Sequence, residues 1–248
     1  MSKYYTNVSV YGPHILYRGV KNGRRVKMKI AYTPPLYLPA KKETQFKTLR
    51  GEYLEPMTFE GIRDARDFVK KYEDVGNFKI YGNTRFEYAF IADNQKGMVE
   101  WDQDLISTAV IDIEVGSENG FPDPYIAQEP ITAICITYVG GPTYVFGCGD
   151  YEVQGEESYI KCKDEWTLCK KFLQHWSSNY PDVLTGWNTK FFDVPYLVNR
   201  FRKILGEDDT KKLSPWNHIS ERKTIINGRA MIAYGFTGVE SLDYIELN

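Results

Sequence analysis

The stretch that most restricts the fold is Ala109-Val110-Ile111-Asp112-Ile113-Glu114-Val115. Strand side chains alternate between faces, so this run puts Asp112 and Glu114 on one face and Ile111, Ile113 and Val115 on the other, toward a core. Two neighbouring carboxylates on an otherwise apolar strand repel each other, and each is costly to remove from water without a compensating positive charge. Magnesium or manganese compensates, because hard cations prefer oxygen ligands. The plainer reading is a surface-facing sheet on which both acids are solvated. Asp is depleted in strands, which favours the functional reading.

A second run, Trp187-Asn188-Thr189-Lys190-Phe191-Phe192-Asp193, carries a third acid. Asp193 follows a short predicted strand and opens a predicted helix. Taken alone it reads as an N-cap, for which Asp is a preferred residue. Taken with Asp112 and Glu114 it suggests three carboxylates brought to one point to hold two divalent ions. Two ions about 3.5–4 Å apart clamp the attacking and leaving oxygens of a phosphodiester during in-line hydrolysis.

The pattern around these runs predicts two domains, residues 1–105 and 106–248. The first is β-rich. Asn22-Gly23 between Ile15-Leu16-Tyr17 and Val26–Ile30 signals a hairpin, because both residues tolerate positive φ. Arg24, Arg25, Lys27 and Lys29 gather at its tip and along one strand face. Pro34-Pro35 ends that strand. Thr58 is the expected N-cap of a helix carrying Ile62, Ala65, Phe68, Val69 and Tyr72. A short strand is expected at Lys79-Ile80-Tyr81 and a loop at 93–97.

From residue 106 the order becomes β-β-β-α-β-α. The strands are Thr108–Val115, Ile131–Val139, Thr143–Phe146 after the Gly140-Gly141-Pro142 turn, and Val183–Thr185. One helix opens near Asp164 with Trp166, Cys169, Phe172, Leu173 and Trp176 as its apolar face. The other opens near Asp193, tolerates Pro195 in its first turn, and buries Leu197, Phe201, Ile204 and Leu205 before Gly206. A hairpin is expected around Asn227-Gly228. Periodicity by itself gives an α/β (α+β) class and no more.

The charge is unevenly distributed along the chain. The net charge is −2, yet residues 1–50 hold 11 Lys or Arg against the single acid Glu43. Such a split suggests a basic face for a polyanion, or a hairpin whose charges are merely solvated. Cys135, Cys148, Cys162 and Cys169 have no metal-binding spacing and only three His are present, which argues against zinc. Free thiols fit a reducing compartment, and Cys135 reads as a small core residue. No apolar run reaches membrane-span length and no signal peptide begins the chain, so a soluble cytoplasmic protein is expected.

With both acidic runs in view, the chain resembles family B DNA polymerases. Asp112-Ile113-Glu114 is similar to their first exonuclease motif, and Asn188-x-x-x-Phe192-Asp193 to their second. Gly120-Phe121-Pro122, Leu184-Thr185-Gly186-Trp187-Asn188 and Lys212-Leu213-Ser214-Pro215 bring it close to polymerases of T-even-type bacteriophages, in the branch infecting cyanobacteria. The resemblance implies a β-rich N-terminal domain followed by a ribonuclease H-like 3′→5′ proofreading exonuclease. It implies Mg2+ or Mn2+ as cofactor, two ions in the completed site, with Asp112 bridging both, Glu114 on the tighter one and Asp193 supporting the second. It implies that Phe121 wedges against bases of a frayed primer end and that Asn188 and Phe192 hold the terminal nucleotide. The implied setting is viral DNA replication in the cytoplasm of an infected bacterium, on single-stranded or primer-template DNA, with a replication clamp as a further partner and no membrane.

The resemblance also implies a third motif, Tyr-x-x-x-Asp, downstream of Asp193. Tyr196, Tyr234 and Tyr244 are followed four places on by Arg200, Gly238 and Asn248. Asp243 and Glu246 fall in a stretch that the family does not use as ligands. The expectation is therefore an N-terminal fragment or split subunit that needs a C-terminal polymerase piece for activity. Two alternatives stay open. One is a DNA- or RNA-binding module using Arg24, Arg25 and Lys27. The other is a self-contained exonuclease, which requires a third-motif acid.

Overall fold

A computed structural model describes residues 3–118, 120–226 and 229–247. The chain divides into two compact units, Met1–Asp102 and Gln103–Asn248.

Among the described residues, the first unit holds six strands and two helices. β1 (Lys3–Tyr11), β2 (His14–Lys21) and β3 (Arg24–Ala31) form an antiparallel sheet with β2 in the middle. The β2–β3 turn is the hairpin that Asn22-Gly23 predicts: Lys21 pairs with Arg24, and φ is +54° at Asn22 and +71° at Gly23. β4 (Leu36–Pro39), β5 (Phe46–Lys47) and β6 (Tyr53–Met57) make a second sheet in the order β4-β6-β5. α1 (Ile62–Tyr72) and α2 (Phe86–Asn94) pack Ile62, Ala65, Phe86 and Phe90 against Ile15, Tyr17 and Leu36.

Three local expectations fail here. Thr58 is not the cap of α1. The cap position is Gly61, and the Asp64 carboxylate reaches back to the Glu60 N–H at 3.1 Å. The strand expected at 79–81 is a single bridge between Tyr37 and Tyr81. The loop expected at 93–97 begins two residues too early, because α2 runs to Asn94. Apolar residues lie on all sides of α2, so it lacks the stripe by which a surface helix shows itself in sequence.

The second unit is built on one six-stranded sheet. Its strands are β7 (Thr108–Val115), β8 (Ile131–Tyr138), β9 (Thr143–Gly147), β10 (Ser158–Lys161), β11 (Val183–Gly186) and β14 (Glu240–Asp243), in the spatial order β10-β9-β8-β7-β11-β14. β7, β8 and β9 are antiparallel neighbours, whereas β11 runs parallel to β7, and β14 parallel to β11. Between the strands run α3 (Glu165–Ser178), α4 (Asp193–Leu205) and the single turn α5 (Glu207–Thr210). An antiparallel hairpin, β12 (Ile219–Ile226) and β13 (Arg229–Phe236), precedes β14. Its Asn227-Gly228 turn lies outside the described residues. Three antiparallel strands, a helix and a parallel fourth strand make this a ribonuclease H-like fold.

The core lies under one face of this sheet. Ile111 and Ile113 of β7 and Ile134 and Ile136 of β8 meet Phe172 and Trp176 of α3 and Tyr196 and Phe201 of α4, all buried. Burying each such side chain contributes roughly 1.5–3 kcal/mol. Trp176 also donates to the Leu213 carbonyl at 2.8 Å, so its one polar atom is satisfied in the core. α3 opens at Asp164, whose carboxylate accepts from the Thr167 N–H at 2.8 Å. Trp166, expected on the apolar face of α3, is exposed and lies beside the Lys170 ammonium, 5.5 Å from its ring centroid; Leu168 takes the core position. Cys135 is not a core residue either. Ile134 and Ile136 take the buried face of β8, which leaves Cys135 on the opposite one, half-buried.

Candidate functional site

The face of the sheet opposite the helices carries Asp112 and Glu114. Along β7, Val110, Asp112 and Glu114 are exposed while Ala109, Ile111 and Ile113 are buried. Asp112 stands across from Cys135 and Glu114 across from Ala133. The register then slips between Glu114 and Val115, a bulge of the kind that re-aims side chains at strand ends. Burial pushes the Cys135 thiol up, and the negative charge of Asp112 adds to that rise.

Asp193 comes from the far side of the chain's path. Phe192 occupies the N-cap position, and Asp193 is the first residue of α4, only 4% exposed. So the N-cap reading of Asp193 fails. Its carboxylate instead accepts from the Ile113 N–H at 3.1 Å, tying the helix to β7 between Asp112 and Glu114. Burial is the main reason its pKa is pushed up to about 6; the charges of Asp112 and Asp243 add to it, and the Ile113 N–H opposes it.

The segment before α4 is a tight turn. Asn188 adopts φ +57°, a left-handed conformation that Asn tolerates better than most residues. Its carbonyl accepts from both Phe191 and Phe192 N–H groups. The preceding Gly186 is required by packing: a Cβ there would lie 2.4 Å from the Thr189 methyl and 2.7 Å from the Ile111 carbonyl. The turn thus presses against β7 one residue before Asp112. Phe192 packs on the core, and its ring centroid is 5.4 Å from that of Phe121, which is 88% exposed. Phe121 is set in the connection from β7 to β8, beside a cavity of about 140 Å³ lined by residues including Pro122, Ile126 and Gln128.

α4 also fixes that connection. Tyr196 donates to the Glu129 carbonyl at 2.7 Å, Asn199 to Pro124 at 3.0 Å, and Arg200 to Gln128 at 2.6 Å; Lys203 donates to Ile126. Arg200 also forms a two-point pair with Glu165, whose carboxylate accepts from the Ile131 N–H at 2.7 Å. Nothing in the sequence pointed to this network, since each partner lies far along the chain.

The donor set suits a hard divalent cation in kind. It consists of carboxylate oxygens, and among the described residues no Lys or Arg forms a salt bridge with Asp112 or Glu114. The three acids do not close around an ion as expected: among the described residues no group of three His, Cys, Asp or Glu side chains could hold one. Asp112 and Glu114 face outward while Asp193 is turned into the strand backbone. Asp243 is buried and occupied by backbone N–H groups, so it does not supply a further ligand. Arg24, Arg25 and Lys27 belong to the other unit, on β3, where Arg25, Lys27 and Lys29 alternate with Val26 and Met28 and are exposed.

The fold, with two acids on its first core strand, defines a domain of the ribonuclease H type. Comparison with known families sharpens this. The family described as DNA polymerase family B, exonuclease domain, matches residues 75–247. The DNA-directed DNA polymerase of Enterobacteria phage T4 is 28% identical over 275 residues, covering 100% of this chain and 30% of the phage protein. That of Escherichia phage RB69 is 31% identical over 280 residues, covering 100% of this chain and 31% of the relative. The chain belongs to the family B DNA polymerases through their exonuclease domain, and it spans less than a third of the length of these two relatives.

Proposed function

We propose that this chain carries the 3′→5′ exonuclease portion of a phage replicative polymerase and removes nucleotides from a single-stranded 3′ end. The observation that carries this reading is the meeting of two distant motifs: Asp193 opens α4 against the Ile113 N–H, between the exposed Asp112 and Glu114. Asp112 and Glu114 would hold the divalent cation, Mg2+ or Mn2+, once a further carboxylate completes the site, with Asp193 behind them. When bound, the metal activates water and stabilises charge on the phosphodiester. Phe121 and Phe192 supply aromatic faces for unpaired bases, a sequence-tolerant mode that suits a mispaired end. Asn188, held in its left-handed turn, orients the terminal nucleotide. DNA synthesis, clamp binding and action in the infected cell's cytoplasm belong to the polymerase as a whole. Among the described residues, no helix is long and apolar enough to cross a membrane.

Three acids that do not close around an ion call for another carboxylate, which a polypeptide bearing a Tyr-x-x-x-Asp segment would bring. The test is a nuclease assay on a single-stranded oligonucleotide with Mg2+, for the chain alone and with such a polypeptide added. Weak cleavage that rises on addition and disappears in Asp112→Ala is expected. Full cleavage by the chain alone overturns the need for completion, and no cleavage in either arm overturns the exonuclease reading.

A second reading has its own observation, the exposed Arg25, Lys27 and Lys29 on one face of β3. They suit a phosphate backbone, DNA or RNA. Neutralising phosphates makes binding fall with salt, by a log–log slope of about 0.7–0.9 per contact. Arg24→Glu, Arg25→Glu and Lys27→Glu together should flatten that slope; an unchanged slope makes the hairpin a solvated face.

A further inference from the structure

Asp243 ends β14, beside Gly186 in the neighbouring strand β11. It is 1% exposed, and among the described residues no Lys or Arg forms a salt bridge with it. One carboxylate oxygen accepts from the Asn188 N–H at 3.0 Å and from the Ile245 N–H at 3.0 Å. The other accepts from the Lys190 N–H at 2.8 Å. A buried carboxylate bonded to three backbone N–H groups is a strong and directional clamp.

The Thr189 hydroxyl, in the middle of the 188–190 turn, is buried and makes no hydrogen bond among the described residues. Asn188 is held at positive φ, and its carbonyl then starts the chain toward Phe192 and Asp193. The two outer residues of the turn both donate their amides to Asp243, one to each oxygen. Gly186 lets the turn approach β7, and Asp243 fixes where along the sheet it stops.

From this geometry we infer that Asp243 is a positioning residue for the 3′-end site, setting the Asn188–Lys190 turn so that Asn188 and Phe192 meet the terminal nucleotide. The inference rests on the exonuclease reading for its consequence, not for its geometry. Asp243→Asn is the discriminating variant. Its amide nitrogen cannot accept from an N–H, so at least one of the three bonds is lost while volume is kept.

The test is amide hydrogen exchange together with binding of a fluorescent single-stranded oligo(dT), with Ca2+ as the divalent ion. In the unsubstituted chain, the Asn188 and Lys190 amides should exchange as slowly as those of β8, although they lie in a turn. In Asp243→Asn, exchange over residues 188–192 should rise at least about tenfold while α3 and β8 stay unchanged. Oligonucleotide affinity should fall about tenfold, and Asp243→Asn should cost less in an Asn188→Gly background than by itself, since the two share a contact. Unprotected turn amides in the unsubstituted chain overturn the inference whether or not the variant folds. So does a uniform rise in exchange, or additive losses in the double variant. If the unsubstituted chain does not bind the oligonucleotide, the exonuclease reading falls, and the exchange data alone decide the positional claim.

Discussion

The acids of β7, β14 and the start of α4 fall into two regions that behave oppositely. On the open face, Asp112 and Glu114 are exposed, and no cation pairs with them among the described residues. Beneath it, Asp193 and Asp243 are buried, and their oxygens accept from backbone N–H groups of β7, of the 188–190 turn and of residue 245. The difference teaches that acids of one fold are not equivalent ligands. The exposed pair is available to a cation. The buried pair holds the frame that aims the site, and its energetics are those of desolvated groups that must keep their hydrogen bonds.

The comparison breaks most visibly at Asp243. Asp243→Ala leaves three backbone N–H groups without their acceptor, and buried unsatisfied donors cost about 1–3 kcal/mol each, less where water enters. A loss of about 3 kcal/mol is expected in urea denaturation, with the slope unchanged. A loss under about 1 kcal/mol would put Asp243 with the exposed acids.

Asp193 sharpens the contrast through pH. Its folded pKa of about 6 lies above that of an unfolded carboxylate, so the folded state binds its proton more tightly. The stability this confers is complete below about pH 4 and is lost as pH rises through about 6. Asp193→Asn keeps an oxygen for the Ile113 N–H and never ionises. It should therefore match the unsubstituted chain near pH 4 and exceed it by roughly 2–3 kcal/mol near pH 8 without metal. Parallel denaturation curves at the two pH values check this, and equal stability at both would mean that Asp193 is solvated like Asp112.

The smallest effect on stability is expected on the open face. Asp112→Asn with Glu114→Gln should change folding stability by no more than about 0.5 kcal/mol without metal, as for surface substitutions. The same pair should abolish any rise in melting temperature that Mn2+ gives the unsubstituted chain. Thermal melts with and without Mn2+ decide it, and a retained Mn2+ shift would move the cation elsewhere.

The fold was legible in the sequence where the signal was local. Asn22-Gly23 set a hairpin because both residues accept positive φ, and the structure places that turn between Lys21 and Arg24. The alternation from Ala109 to Val115 assigned buried and exposed faces correctly, since a strand has period two whatever it packs against. The fold was not legible where packing decides. α2 has no apolar stripe, Trp166 lies off the face that α3 buries, and Cys135 falls on the side its isoleucine neighbours do not take.

By itself, then, the sequence determined that Asp112 and Glu114 share a face, that the chain turns at Asn22-Gly23, and that a helix opens at Asp193. These follow from backbone geometry and from which residues tolerate which φ. Only the tertiary structure decided that Asp193 is buried against Ile113 and that Asp243 clamps the turn 55 residues before it in the chain. The physical reason is that burial and hydrogen-bond acceptance depend on which strands become neighbours. That is settled by the whole core, from Ile111 to Phe201, and not by the residues on either side of an acid.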